Sequence, residues 1–380
     1  MIELRGIAWS HTRGVGSLLV TAQAAADLDP ELRITWELRS LWAFGEAHVG
    51  ELVNDFDLLV IDHPMIGYAA GAGIFEPLDP HVPAEWLAEQ ARGSVGGSHE
   101  SYQHDGHQWA AAVDAACQVA VSRPDLLSKP PQTLDEVLAL ARATGRVAVP
   151  LKPIDALSCF LTLCANQGEE PLRGERVASD ELALRVLEQL RELASVVPPA
   201  CLSWNPIDVL NAMSTGDEIA YCPYAFGYTN YAREGYAPKR VAFHDIPAAG
   251  GNGCAGATLG GAGLAVSSRS ANVEAAIAYV QRVADPEVQR TTYVHAGGQP
   301  GHADAWDDDV ANRITGDFFR NTRRTIESAY VRPTDDGIAE FQSAASAAVH
   351  RFLSEGGSAD AVLAALNDAY ALIDTSRRPS

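Results

Sequence analysis

The sequence is short of positive charge: 28 Lys and Arg stand against 49 Asp and Glu, for a formal net charge of −21. A field of that sign repels phosphate backbones and anionic lipid surfaces, which excludes nucleic acid and membrane surfaces as partners. Long apolar runs are also missing. The nearest approach, residues 17–26, falls well short of the roughly 18–20 apolar residues a membrane helix requires, so nothing here inserts in a bilayer.

Six cysteines are present but lack the spacing of a metal or redox motif. There is no CxxC pair and no His at zinc-finger distance. Cys117, Cys159, Cys164, Cys201, Cys222 and Cys254 sit in apolar neighbourhoods and read as free buried thiols, which fits a reducing compartment. A secretion signal is absent as well: Met1-Ile2-Glu3-Leu4-Arg5 runs straight into a strand-like alternation, without a basic start and an apolar stretch. The expectation is a cytoplasmic protein, or a periplasmic or extracellular one from which the signal has been removed.

Cofactor fingerprints are missing too. The glycine-rich segment 252–267 has no GK[ST] and precedes a strand rather than following one, so it is neither a P-loop nor a dinucleotide site. His99, His104 and His107 have no carboxylate or Cys at a convincing helical spacing, so we expect no metal and no cofactor.

What remains is an ample globular composition, with 47% hydrophobic residues over 380 positions. That length favours two domains. Strands at 2–9, 33–38 and 57–62 alternate with helical segments, which predicts parallel βαβ units with ligand groups beyond the carboxyl ends of the strands. That rule selects Trp9-Ser10-His11 and Asp62-His63-Pro64. Asp62 and His63 can hydrogen-bond a ligand hydroxyl or amine; alternatively Asp62 caps the next turn and His63 lies on the surface. The polar stretch 98–109 predicts a hairpin feeding a long apolar strand over 110–121 that crosses between lobes.

A second lobe begins near Pro130, where Thr133 and Glu136 form a capping-box pattern, and a strand is predicted at 147–151. In the segment 218–231, EIAYCPYAFGYTNY, an apolar strand leads into a cluster of Tyr221, Tyr224, Phe226, Tyr228 and Tyr231. These rings are either ligand platforms or core. The glycines of 252–267, Gly260 and Gly261 among them, either let the backbone approach a ligand closely or only form a turn.

Taken in order, the crossover DG-W-AAAVDAA-QVAVSRPDLL, the Pro-Gln-Thr-Leu-Asp-Glu-Val helix start, CPYAFGYTNY, T-LGGAGLAVS and Gly297-Gly298-Gln299-Pro300-Gly301 resemble the extracellular solute-binding proteins of sugar-type ABC importers. The resemblance covers nearly the whole chain. It implies an α/β type II periplasmic-binding-protein fold, in which two lobes, each a mostly parallel sheet flanked by helices, hinge over a small carbohydrate-like solute. It also implies an ABC permease as partner. The lobes would be 1–111 plus 258–299 and 113–257 plus 300–380. The implied cleft holds Trp9, Asp62, Asp114, Tyr224, Tyr228, Gly260 and Gly261, with aspartates accepting from sugar hydroxyls and an aromatic ring under the sugar; His11 and His63 from the strand ends, and Cys117 past the crossover, complete the candidate ligand-binding set.

Thiaminase I is similar in fold and has a cysteine nucleophile at about the position of Cys117. This makes an enzyme the alternative, with Cys117 activated by His63, Asp62 or Asp114 for group transfer or hydrolysis. Where that enzyme carries its basic carboxylate, this chain reads Gly227-Tyr228-Thr229-Asn230. A ligand sensor that signals to a protein partner is the third reading.

Overall fold

The alternation at the start of the chain builds a parallel frame. The computed structural model describes residues 1–46 and 49–373. Its opening elements are β1 (Ile2–Trp9), α1 (Thr12–Leu28), β2 (Leu32–Arg39), α2 (Leu41–Glu46) and β3 (Leu58–Ile61). β1 pairs in parallel with β2 along its whole length and with β3 at Gly6 and Ile7. All four residues of β3 are buried, as expected of a strand inside a covered sheet.

The middle and end of the chain add β4 (Ala111–Ser122), α3 (Leu134–Thr144), α4 (Pro153–Asn166), α5 (Asp180–Val196), α6 (Pro206–Thr215), β5 (Tyr221–Phe226), β6 (Ala242–His244) and β7 (Leu259–Ser267). The helices α7 (Val273–Val283), α8 (Phe318–Glu327), α9 (Ile338–Glu355) and α10 (Ala359–Tyr370) follow. β4 is long enough to serve two neighbourhoods. Its first half, to Cys117, pairs antiparallel with β7; from Gln118 onward it pairs antiparallel with β5 and β6. β7 in turn pairs with β3.

These two strands join separately packed cores. Leu4, Leu18, Val60 and Val280 pack together on one side, with Ile61 and Ile66 in a cluster behind β3. Phe160, Leu187, Tyr224 and Val349 belong to the other core. The protein is therefore two-lobed, with β4 and β7 running between the lobes.

Local chemistry explains most boundaries. The Thr133 hydroxyl caps α3 by accepting from the Glu136 amide at 3.2 Å, but the Glu136 carboxylate turns to the Gln132 amide, so only half of the predicted capping box forms. The predicted hairpin is a two-stranded pair, Gln103–His104 against His107–Gln108. Asp105 and Gly106 at its tip both have positive φ, as a tight hairpin turn demands.

The predicted strand at 147–151 does not form as a strand. Val147 makes one isolated parallel bridge to Tyr221, and the chain then passes to a hydrogen bond between the Leu151 amide and Cys201. Pro150 has no N–H with which to extend a ladder. Among the described residues no helix is long and apolar enough to cross a membrane, and no group of three or more His, Cys, Asp or Glu could hold a metal.

Candidate functional site

The carboxyl ends of β1 and β3 and the N-termini of α4 and α6 converge on one cavity of about 170 Å³. One ordered water needs only roughly 10–15 Å³ of such space, so this volume is a receiving chamber rather than a packing fault. Trp9, Arg13, Phe44 and Asp62 line it from the first lobe, and Lys152, Asp155, Asn205, Phe226 and Tyr228 from the other. Ala116, Gly260 and Gly261 of the crossing strands form its floor, and Arg332 with Gln342 completes the lining.

Trp9 is the last residue of β1, almost fully buried, with its ring 4.8 Å from that of Phe44. Position 14 is glycine because a Cβ there would lie 2.4 Å from the Trp9 ring. Arg13, in the first turn of α1, donates from Nε to Asp114 Oδ2 at 2.9 Å and from Nη2 to Oδ1. Its Nη1 donates to the Gly227 carbonyl at 2.7 Å, and the guanidinium sits 4.7 Å from the Tyr228 ring centroid. One side chain thus ties α1 to β4 and to the aromatic segment after β5.

Burial alone pushes Arg13 down, yet Asp114 holds it above its ordinary value, while burial leaves the Asp114 carboxyl raised against the pull of Arg13. A guanidinium keeps its proton at any accessible pH, so the two groups form a buried ion pair.

Asp62 follows β3 and accepts from the His63 amide at 2.9 Å, the turn cap that was one of the two readings of this residue. Both its oxygens also accept from Arg332 Nη2 at 3.1 Å. Against the upward push of burial, the Arg332 guanidinium holds the Asp62 carboxyl well below the usual range. Arg332 continues to Gln342 Oε1 at 3.0 Å, so a three-residue chain closes one wall.

Trp9, Asp62, Tyr228, Gly260 and Gly261 therefore line the cavity, while His11, His63, Asp114, Cys117 and Tyr224 do not. Asp114 stands behind the wall, 1% exposed and covered by Arg13. His63 is wholly buried rather than on the surface. Its ring nitrogens have no hydrogen-bond partner beyond a 3.3 Å approach of Nδ1 to Asp62, and burial lowers its pKa, keeping it neutral. Tyr224 is buried in the second core with its hydroxyl unpartnered.

Cys117 is 3% exposed, and burial pushes its thiol far above the range in which a thiolate forms. Alternation along β4 turns Ala116, not Cys117, to the cavity. Cys117→Ser is expected to leave ligand binding unchanged, and iodoacetamide to label native Cys117 no faster than it labels the buried Cys159. Rapid selective labelling of Cys117 would contradict this burial.

The glycines have steric reasons. A Cβ on Gly260 would meet the Phe226 ring at 2.8 Å, and Gly261, at φ +123°, lies where a Cβ would be 2.4 Å from the Asp114 carbonyl.

His11 caps α1: its Nδ1 accepts from the Arg13 amide at 3.0 Å, and its ring meets Tyr228 edge-on at 4.8 Å. Burial, helped by the Arg13 charge, lowers its pKa to about 4. Between about pH 4 and pH 6.5 the unfolded chain binds a proton at this site that the folded one excludes, so stability rises with pH across that window and is lost on acidification. His11→Asn keeps a capping acceptor and removes the proton. Thermal unfolding followed from about pH 7 to about pH 4.5 is expected to show a shallower loss for the variant, and an unchanged slope would refute the assignment.

Sequence reasoning missed Arg13, Phe44, Lys152, Asp155, Asn205, Arg332 and Gln342 as site residues, while Phe226, one of the rings read as either platform or core, does line the cavity. Arg13 carried one signal: it is a cation in the first turn of a helix, where the helix dipole favours anions.

Against known proteins, the family described as bacterial extracellular solute-binding protein matches residues 48–313. Among solved structures, the chain is similar to maltose-bound MalE3 of T. maritima, with a TM-score of 0.83 at 17% identity over 97% of this chain and 99% of that one. An ABC transporter solute-binding protein of Thermotoga lettingae bound to α-D-tagatose gives 0.83 at 16%, over 98% and 99%. One from Agrobacterium radiobacter in complex with ribitol gives 0.79 at 17%, over 97% and 98%. At these identities the structural likeness establishes the two-lobed fold.

Proposed function

We propose, because the chain belongs to the bacterial extracellular solute-binding proteins, that its two lobes close on a small hydroxylated, carbohydrate-like solute and present it to an ABC permease. The observation that carries this reading is the cavity itself, where Trp9 and Phe44 from one lobe face Phe226 and Tyr228 from the other with charged groups between them. Aromatic faces take the C–H face of a sugar ring, and the polar groups fix its hydroxyls. The ligands in the similar structures, maltose, tagatose and ribitol, are all of that kind.

The lobe division proposed is 1–111 plus 258–299 and 113–257 plus 300–380, of which 47–48 and 374–380 lie outside the described residues. It is supported by β4 pairing in both neighbourhoods and by the packing of α9 on α4. Ligand contacts that form only in the closed state would draw the lobes together. The enzyme alternative has no comparable support, since the nucleophile it needs faces away from the cavity.

A thermal-shift panel of sugars, sugar acids and polyols tests the reading. Stabilisation by at least one of them, without consumption of that compound, is the expected result; turnover of a stabilising compound would overturn it.

A further inference from the structure

The polar groups around the cavity are unequally occupied. Its carboxylates are engaged: Asp62 takes Arg332 on both oxygens, Asp114 behind the wall takes Arg13 on both, and Asp155 has a partner as well. The donors are not exhausted. Arg332 is 6% exposed and lines the cavity, yet its Nε–H has no partner. Arg13 uses three of the five N–H groups of a guanidinium.

The wall opposite continues the pattern. Lys152 is the N-cap of α4 and supplies no side-chain acceptor, so the first-turn amide of Ile154, also in the lining, has no side-chain cap. Asn205 has its oxygen on the Asp208 amide, which leaves its NH₂ group. In a chain of net charge −21, the lining carries Arg13, Lys152 and Arg332 against Asp62 and Asp155. The count closes to zero only with Asp114, which lies outside the cavity.

A neutral sugar needs acceptors for its hydroxyl protons as much as donors for its oxygens. Here Asp62 and Asp114 are already paired with guanidinium groups, and desolvated donors left without partners are costly. We infer that the solute is a hydroxylated carboxylic acid, a sugar acid, with its carboxylate received between Lys152 at the start of α4 and the Arg332 guanidinium. This rests on the proposed reading of the cleft as a site for a hydroxylated solute and adds its charge. The helix N-terminus reinforces the two cations, because its dipole and free amides favour an anion.

The test is calorimetry with matched pairs, glucose against glucuronate and galactose against galacturonate, on the wild type and on Lys152→Met, together with small-angle scattering of each mixture. Lys152 has an exposed side chain, so the variant is expected to fold. In at least one pair the acid should bind roughly tenfold or more tightly than its neutral partner, the worth of a charge-assisted hydrogen bond. That preference should shrink by a similar factor in Lys152→Met.

A neutral sugar that binds as well as its acid and compacts the protein would overturn the inference and leave the cleft reading standing. A preference for the acid that Lys152→Met leaves intact would overturn the placement of the carboxylate. No binding and no compaction with any of the four would count against both.

Discussion

Arg13→Ala is expected to cost about 3–5 kcal/mol of folding stability, the usual penalty for leaving one member of a buried ion pair alone. The pair meets the conditions for a loss of that size: the Arg13 and Asp114 side chains are 5% and 0% exposed. Without the guanidinium, Asp114 becomes an unpaired carboxylate inside β4, or must take up a proton. The Gly227 carbonyl and the Tyr228 ring lose their partner at the same time.

A total stability of about 5–15 kcal/mol makes this a large fraction, readable as a lower urea midpoint at unchanged slope. The double variant Arg13→Met/Asp114→Leu should recover most of it, because replacing both charges removes the desolvation penalty as well as the attraction. A single variant within about 1 kcal/mol of wild type would mean that the pair is not closed to water.

Arg332→Met is expected to act on the opening equilibrium rather than on folding. Asp62 and Arg332 lie 270 residues apart in sequence and meet only where the end of β3 faces the segment between α8 and α9. When the lobes part, Asp62 returns to water and loses nothing; when they close in the variant it is desolvated against a thioether, with no cation beside it. The Asp62 side chain retains 17% exposure, so the penalty should fall near about 2–3 kcal/mol, a weakening of affinity of roughly 30- to 150-fold. The ligand-free melting temperature should move little. A drop in melting temperature with unchanged affinity would show that the contact holds one lobe together instead of joining two.

Much of the frame was legible because it is local. The period-two pattern of β1, the continuous apolar run of β3 and the polar residues immediately after each located Trp9 and Asp62 at the strand ends that line the cavity. Long-range pairing was not legible. Asp62 and Asp114 look in sequence like free acceptors for sugar hydroxyls, and only the fold brings Arg332 and Arg13 to them, the latter from 101 residues away. That pairing changes what the site offers a ligand, from carboxylate oxygens to guanidinium N–H groups.

Strand parity gave a clue that was available. Asp114 and Cys117 are three apart and cannot share a face of a regular strand, so assigning both to the cleft was inconsistent with the alternation of β4. His63 illustrates the opposite difficulty. A histidine after a buried strand reads equally as ligand or surface, and it is in fact enclosed because the ring of Tyr102 packs edge-on against it at 6.3 Å.

The central claim is that two lobes close over a solute between Trp9 and Tyr228. Small-angle scattering during titration with a solute that stabilises the protein measures this directly. The radius of gyration should fall as the solute saturates and should stay at its ligand-free value in a Tyr228→Ala variant that no longer binds. Saturation by a tightly bound solute with no change in dimensions would contradict the claim.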